Sequence, residues 1–319
     1  MAHNRGIGVL CFHRVLPSNR RSTTDEPYFL RQTAMELDHF RRLLDRLEAR
    51  CEVLPPERLL EWYTGGIEAE RPPIVLTFDD GYLDVLEHAV PELTARGHRA
   101  IVAITTAVAA GSQSGFPVDN WYAALMTATR QRGRLESLGA PAWEYDLQQP
   151  EDFQRLIDGP EKRAFLQADA DEQARLVRHL RIQLGCGEQA TLPPVLRPSE
   201  LRVLSEAGWL LASHGNSHAL MPGLGQARAL EELASSRCWF SQVRLPEPHI
   251  IAWPDGAVDD SSAQAAAEAG YRLGLVLGGR LAGRADPWWA LPRLIPRNSP
   301  TWFKERLEPL LRQDAGRYP

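Results

Sequence analysis

The sequence predicts an α/β protein built on a parallel sheet, open or closed into a barrel. Short, nearly continuous apolar runs alternate with segments of helical periodicity. Three junctions, Arg96-Gly97-His98, Ala207-Gly208-Trp209 and Ala269-Gly270-Tyr271, share one order: helix end, glycine, strand start. Glycine just past a helix accepts positive φ and turns the chain towards the next strand. The length of 319 residues suits two domains of roughly 150 residues, or one α/β barrel of about 250 residues with an insertion.

The expected strands are Ile7–Phe12, Ile74–Phe78, Ala100–Ile104, Trp209–Ala212, Ile250–Trp253 and Leu273–Leu277. Their unbroken apolar character fits strands covered on both faces. Helices are expected at 34–50, where Leu37, Phe40, Leu43, Leu44 and Leu47 share a face, and at 224–239 and 261–269. Residues 111–197 break the rhythm. They read as a mostly helical insertion within a single barrel spanning 1–319, with Trp121, Tyr122, Leu125 and Met126 at helical spacing. Those aromatics suit a helix core; the alternatives are a lid or a contact with a membrane surface.

Composition excludes several classes. The chain is 44% hydrophobic and 24% charged, which argues against disorder, collagen and coiled coil. A formal charge of −5 without long runs of one sign leaves no nucleic-acid footprint. The four cysteines are scattered and form no CxxC pair; Cys11 and Cys51 read as small buried hydrophobes. No window reaches about 18 uncharged apolar residues, so no membrane span is expected. No long apolar stretch precedes the first strand, so a signal peptide is not expected and the reading is cytoplasmic.

The chemistry-bearing residues share one location. His13 follows the first strand, Asp79 and Asp80 the second, His214 and His218 the fourth, and Pro254, Asp255 and Gly256 the fifth. Polar groups collected at the carboxyl ends of successive parallel strands are the layout of an α/β active site. In Thr77-Phe78-Asp79-Asp80-Gly81 two adjacent carboxylates repel unless a cation or proton relieves them. A turn must begin there if both are to serve one site, because neighbours on a strand point to opposite faces. His214 and His218 lie four residues apart, within reach of one metal on a helical turn. No glutamate follows His214, so the metalloprotease pattern HExxH fails. Two histidines and one aspartate leave an open position on a zinc-like ion, which is catalytic ligation.

With TFDDG, a later HxxxH and then Trp253-Pro254-Asp255-Gly256, the chain resembles the polysaccharide deacetylases of the NodB-homology type, carbohydrate esterase family 4. The resemblance implies a distorted (β/α)7 TIM-like barrel, with Asp79 as general base and a divalent metal, zinc by expectation, on Asp80, His214 and His218. It implies hydrolysis of an N-acetyl, sometimes O-acetyl, group on a sugar. It also places Trp253, Pro254 and Gly256 at the substrate. The backbone N–H near Asp255 would hold the oxyanion.

Three departures stand out. The family's second motif usually carries Ser or Thr after the first His, and here Gly215 does; a hydrogen bond that steadies the metal loop is then missing or replaced. The third motif lacks its usual Arg, a charge that Arg293 or Arg297 in the last strand is expected to supply. No histidine lies beyond His249, so the family's C-terminal acid is absent. Cys11-Phe12-His13-Arg14-Val15 is similar to the opening motif of the circularly permuted members, which makes His13 the candidate acid. His88, His98 and His179 read as surface residues, and His249 as either.

The expected partner is an N-acetylated amino sugar: a polysaccharide, an oligosaccharide, or a lipid- or nucleotide-linked intermediate, with membrane contact through a lipid-linked substrate. A cytoplasmic enzyme fits the linked intermediates better. The alternatives are a deacylase of a non-sugar amide on the same barrel, which Asp255 in place of an aromatic keeps open, and an inactive carbohydrate-binding relative.

Overall fold

The computed structural model describes residues 6–17, 25–65, 69–187 and 191–316. Residues 1–5, on which part of the N-terminal reading rests, and 188–190, within the expected insertion, lie outside the described residues. The described residues form two compact units: 6–17, 34–65, 69–113 and 195–316 in the first, and 25–33, 114–187 and 191–194 in the second.

In the first unit seven strands of an eight-stranded sheet form a ring, with Glu52–Val53 pairing beside the start of the second: β1 (Gly8–Phe12), β2 (Pro73–Phe78), β3 (Ile101–Ile104), β4 (Leu210–Ser213), β5 (Ile250–Ala252), β6 (Leu273–Leu277) and β7 (Leu291–Arg293). They pair in that order, every pair parallel. The ring closes where Cys11 N donates to the Leu294 carbonyl and Leu294 N to the Val9 carbonyl, each at 2.8 Å. This is the distorted (β/α)7 barrel that the resemblance implies. Helices α1 (Leu37–Arg50), α2 (Pro198–Glu206), α3 (Gln226–Gln242) and α4 (Asp260–Glu268) lie in the crossovers.

Strand periodicity of two divides the core. Ile7 and Val9 of the first strand pack with Val75, Ile101, Ala103, Ile250, Leu273 and Leu291. Leu10, Phe12, Leu76, Phe78 and Val102, on the opposite faces, pack instead with Phe40, Leu44 and Leu47 of α1. Continuing the same alternation reaches Cys11 on β1 and His13 just past it, Thr77 on β2 and Asp79 just past it, and Arg293 at the end of β7. The sheet thus aims these polar groups to the same side as its inner core, one layer further along the strands.

The strand bounds differ from the expected ones by a residue or so. The helix expected from 34 begins at Leu37, because Ala34–Glu36 pairs in parallel with Arg14–Leu16 as a short strand. All three junction glycines adopt positive φ, at 74°, 82° and 88°. The second unit has helices Pro117–Met126, Pro150–Asp158, Pro160–Gln167 and Ala170–Gln183. It also contains an antiparallel pair, Arg132–Leu135 with Trp143–Asp146, which helical periodicity did not anticipate. Trp121 is buried, 4.9 Å from the Phe165 ring, with its indole N–H on the Leu156 carbonyl at 2.9 Å. These aromatics form the core of the unit rather than an exposed contact. No helix among the described residues is long and apolar enough to cross a membrane.

Candidate active site

Asp79 closes β2 and remains in the sheet, its N–H donating to the Phe12 carbonyl at 2.9 Å. Asp80 breaks away with φ 72°, and Gly81 follows with φ 74°. The turn sends the two adjacent carboxylates to different partners. Asp79 is buried with Arg293, whose Nη1 and Nη2 donate to Oδ1 and Oδ2 at 2.7 Å each. Such a two-point fork holds the carboxylate in one plane. Arg293 also donates to Thr77 Oγ1 at 3.2 Å, and Thr77 in turn to the Leu10 carbonyl at 3.0 Å. Burial alone would raise the Asp79 carboxyl. The Arg293 guanidinium outweighs it, with help from His214, and brings the pKa down to about 2.

Asp80 faces the two histidines. Its Oδ1 lies 3.4 Å from His214 Nε2 and 3.5 Å from His218 Nε2. One donor atom from each of the three residues lies within 4.8 Å of the others. The His214 and His218 rings stand edge to face, centroids 4.9 Å apart. His214 Nδ1 meets the Ala252 carbonyl at 2.7 Å, a contact that puts a proton on Nδ1 and turns Nε2 towards Asp80. Asp80 Oδ1 is buried yet accepts no hydrogen bond. An orphaned carboxylate oxygen opposite two imidazole nitrogens fits a divalent cation of the zinc type. Burial pushes the Asp80 carboxyl up, but His214 and His218 hold it well below the usual range. Burial pushes His218 down, but Asp80, and further off Asp255, raise it to about 9.

His13 lies just past β1, half-buried, with Nδ1 without a hydrogen-bond partner. A ring nitrogen of His13 lies within 4.8 Å of the Asp79 carboxylate and the Cys11 sulfur. Those three groups do not make a second metal set. Both Asp79 oxygens sit in the Arg293 fork, and burial holds the Cys11 thiol well above its ordinary pKa, against the pull of Arg293.

The polysaccharide deacetylase profile matches residues 66–274. The chain belongs to the polysaccharide deacetylase family. It is a hydrolase of carbon–nitrogen bonds other than peptide bonds, and the family acts on acetylated sugars. No protein of curated function matches it. Among solved structures, the Streptococcus pyogenes deacetylase PplD in complex with acetate aligns over 95% of this chain and 99% of its own, with TM-score 0.62 and 16% identity. IcaB from Ammonifex degensii aligns over 95% and 96%, at 0.57 and 16%. The BpsB deacetylase domain from Bordetella bronchiseptica aligns over 92% and 97%, at 0.52 and 18%. At such identities these likenesses speak for the fold.

In this polysaccharide deacetylase the barrel brings together Asp79, Asp80, His13, His214, His218 and Arg293. Of the two arginines expected to supply this charge, Arg293 at the end of β7 meets Asp79, and Arg297, beyond that strand, is exposed. Asp255 stands exposed in a tight turn at φ 52°, ψ 14°. The Gly256 and Ala257 amides are spent within that turn, on the Trp253 and Pro254 carbonyls. Pro254 is buried and Gly256 half-buried. Trp253 is fully buried, its indole N–H donating to the Trp289 carbonyl at 2.8 Å, and is closed to a ligand in solvent. His98 is not a bare surface residue: its Nε2 lies 2.9 Å from Glu48 Oε1. Cys11 is more than a buried hydrophobe, since its thiol reaches Asp79 Oδ2 at 3.3 Å. Its place two residues before His13, on the same strand face, was the available signal.

Proposed function

We propose that the enzyme removes the acetyl group from an N-acetylated amino sugar with a divalent ion held by Asp80, His214 and His218, releasing acetate. The observation that carries this is the separation of two adjacent aspartates into different environments, one locked to an arginine and one left with an orphaned oxygen between two imidazoles.

A zinc-type ion supplies a Lewis acid and lowers the pKa of a water to about 7. The protein's own groups do the rest. Asp79, kept ionised by Arg293, takes the proton of the attacking water. Arg293 fixes the carboxylate plane and so the direction of that transfer. Any oxyanion donor from the 254–257 turn is the Asp255 amide, since the next two amides are already bonded. An amine leaves an amide poorly until protonated, and His13, beside the N-terminal strand, delivers that proton. Acetate and a free amino sugar are the products.

The test is acetate release from a panel of N-acetylated amino-sugar monomers and oligomers, beside simple acetamides and formamides. Release from the sugars, abolished by a chelator and restored by zinc, is expected. Cleavage of small amides with none of the sugars would place the enzyme among non-sugar amidohydrolases of the same barrel.

A further inference from the structure

The loop between His214 and His218 has no regular secondary structure, and Gly215 offers no side chain to hold it. Its backbone is nonetheless tied down from two sides. The Gly215 and Asn216 carbonyls accept from the Thr106 and Ala107 amides at 3.2 and 2.8 Å, and Thr106 Oγ1 bonds Asn216 Oδ1 at 3.0 Å. On the other side Glu232, from α3, offers one carboxylate oxygen to three donors. Glu232 Oε1 accepts from Asn216 N at 2.9 Å, from Ser217 N, and from Ser217 Oγ at 2.9 Å.

Two successive amides and a hydroxyl converging on one oxygen form a small anion-binding concavity, closed by a charge from the protein itself. Charge-assisted bonds of this kind are roughly twice as strong as neutral ones. They end one residue before His218, which sits at φ 65°, in the left-handed region that few residues with a side chain occupy. Position 215 could not supply an equivalent group cheaply. Its φ is 79°, and a Cβ there would meet Met221 Cε at 3.3 Å and the same Glu232 oxygen at 3.4 Å.

We propose that Glu232 is a positioning residue for the metal centre: its carboxylate holds the 215–217 loop so that His218 reaches its nitrogen towards Asp80 and His214 before any ion arrives. This rests on the metal reading above, and explains how the site keeps its geometry with Gly215 after the first histidine. Outer partners of metal ligands typically carry about 10–100-fold in metal affinity.

The test is cobalt(II) titration of the metal-free protein, read by competition with a chromophoric chelator and by the visible absorption of the bound ion. Wild type, Glu232→Gln, Glu232→Ala and His214→Ala are compared, with melting of each metal-free protein recorded. Glu232→Ala is expected to bind cobalt about 10–100-fold more weakly, with an altered spectrum, while the metal-free form still melts cooperatively. Glu232→Gln, which keeps an acceptor oxygen, is expected to recover part of the loss and stands in if the alanine variant does not fold. Wild-type affinity and spectrum in both Glu232 variants would overturn the proposal. If His214→Ala binds as wild type does, the metal reading fails instead, and the positioning role falls with it.

Discussion

Asp79 and Arg293 form a buried ion pair whose cost is met by a two-point contact, with Thr77 taking a further guanidinium donor. Removing one partner strands the other charge, typically at about 3–5 kcal/mol. Asp79→Asn should therefore lose stability as well as about 10²–10⁴-fold in rate, yet keep the metal, since Asp80 and not Asp79 is the proposed ligand. The sign of the pH effect follows from the lowered pKa. The ion-pair contribution is complete above the ordinary carboxyl pKa near 4 and is lost as pH falls through about 2. The stability gap between wild type and Asp79→Asn should narrow by about 2 kcal/mol over that window in denaturant titrations. A gap unchanged by acid would mean the carboxyl is not held low. His13 has a separate signature. His13→Ala should bind metal normally and lose amide hydrolysis far more than hydrolysis of an activated ester, whose leaving group needs no proton. Equal losses on both would make His13 structural. At this scale the sequence shows TFDDG and HxxxH plainly, because adjacent carboxylates and paired imidazoles have few bland explanations. Glu232 was hidden: a glutamate on an amphipathic helix, 14 residues beyond His218, looks like any solvated charge until the loop folds back onto it.

The elements deliver these groups through strand periodicity. Residues 7, 9, 11 and 13, and 75, 77 and 79, run from inner core to reacting groups without a change of face. The apolar runs were legible as strands because both faces are covered. The short pair Arg14–Leu16 with Ala34–Glu36, and the hairpin at 132–146, were not, because their patterns are brief or polar and owe their form to pairing partners. Trp253 shows the same limit. In sequence it sits within the third motif and reads as a substrate contact; in the fold it braces β5 against the segment around Trp289. Trp253→Ala should cost about 3–5 kcal/mol of stability, as expected for a buried tryptophan. Differential scanning calorimetry checks this. Wild-type stability with weakened substrate binding would return Trp253 to the binding surface.

For the whole molecule, β1 is the keystone. It pairs with β2 along its length and, through Cys11, Val9 and Leu294, closes on the segment leaving β7, so that His13, Asp79 and Arg293 come from three neighbouring strands, β1 lying between the other two. Contributions from both ends of the chain meet there, which no local pattern reveals. The parallel sheet was legible from its alternation of strands and helices, and its closure into a barrel from the resemblance carried by TFDDG and HxxxH. The hydrogen bonds that set the tautomer of His214 and the plane of Asp79 depend on contacts 38 and 214 residues apart in the chain. The most direct test of the account is the metal content of the purified protein, measured together with acetate release from an N-acetylated amino-sugar oligomer, for wild type and His214→Ala. The account predicts one divalent ion per chain and acetate release in the wild type, and neither in the variant. Full metal occupancy in His214→Ala, or undiminished acetate release from metal-free wild type, would contradict it.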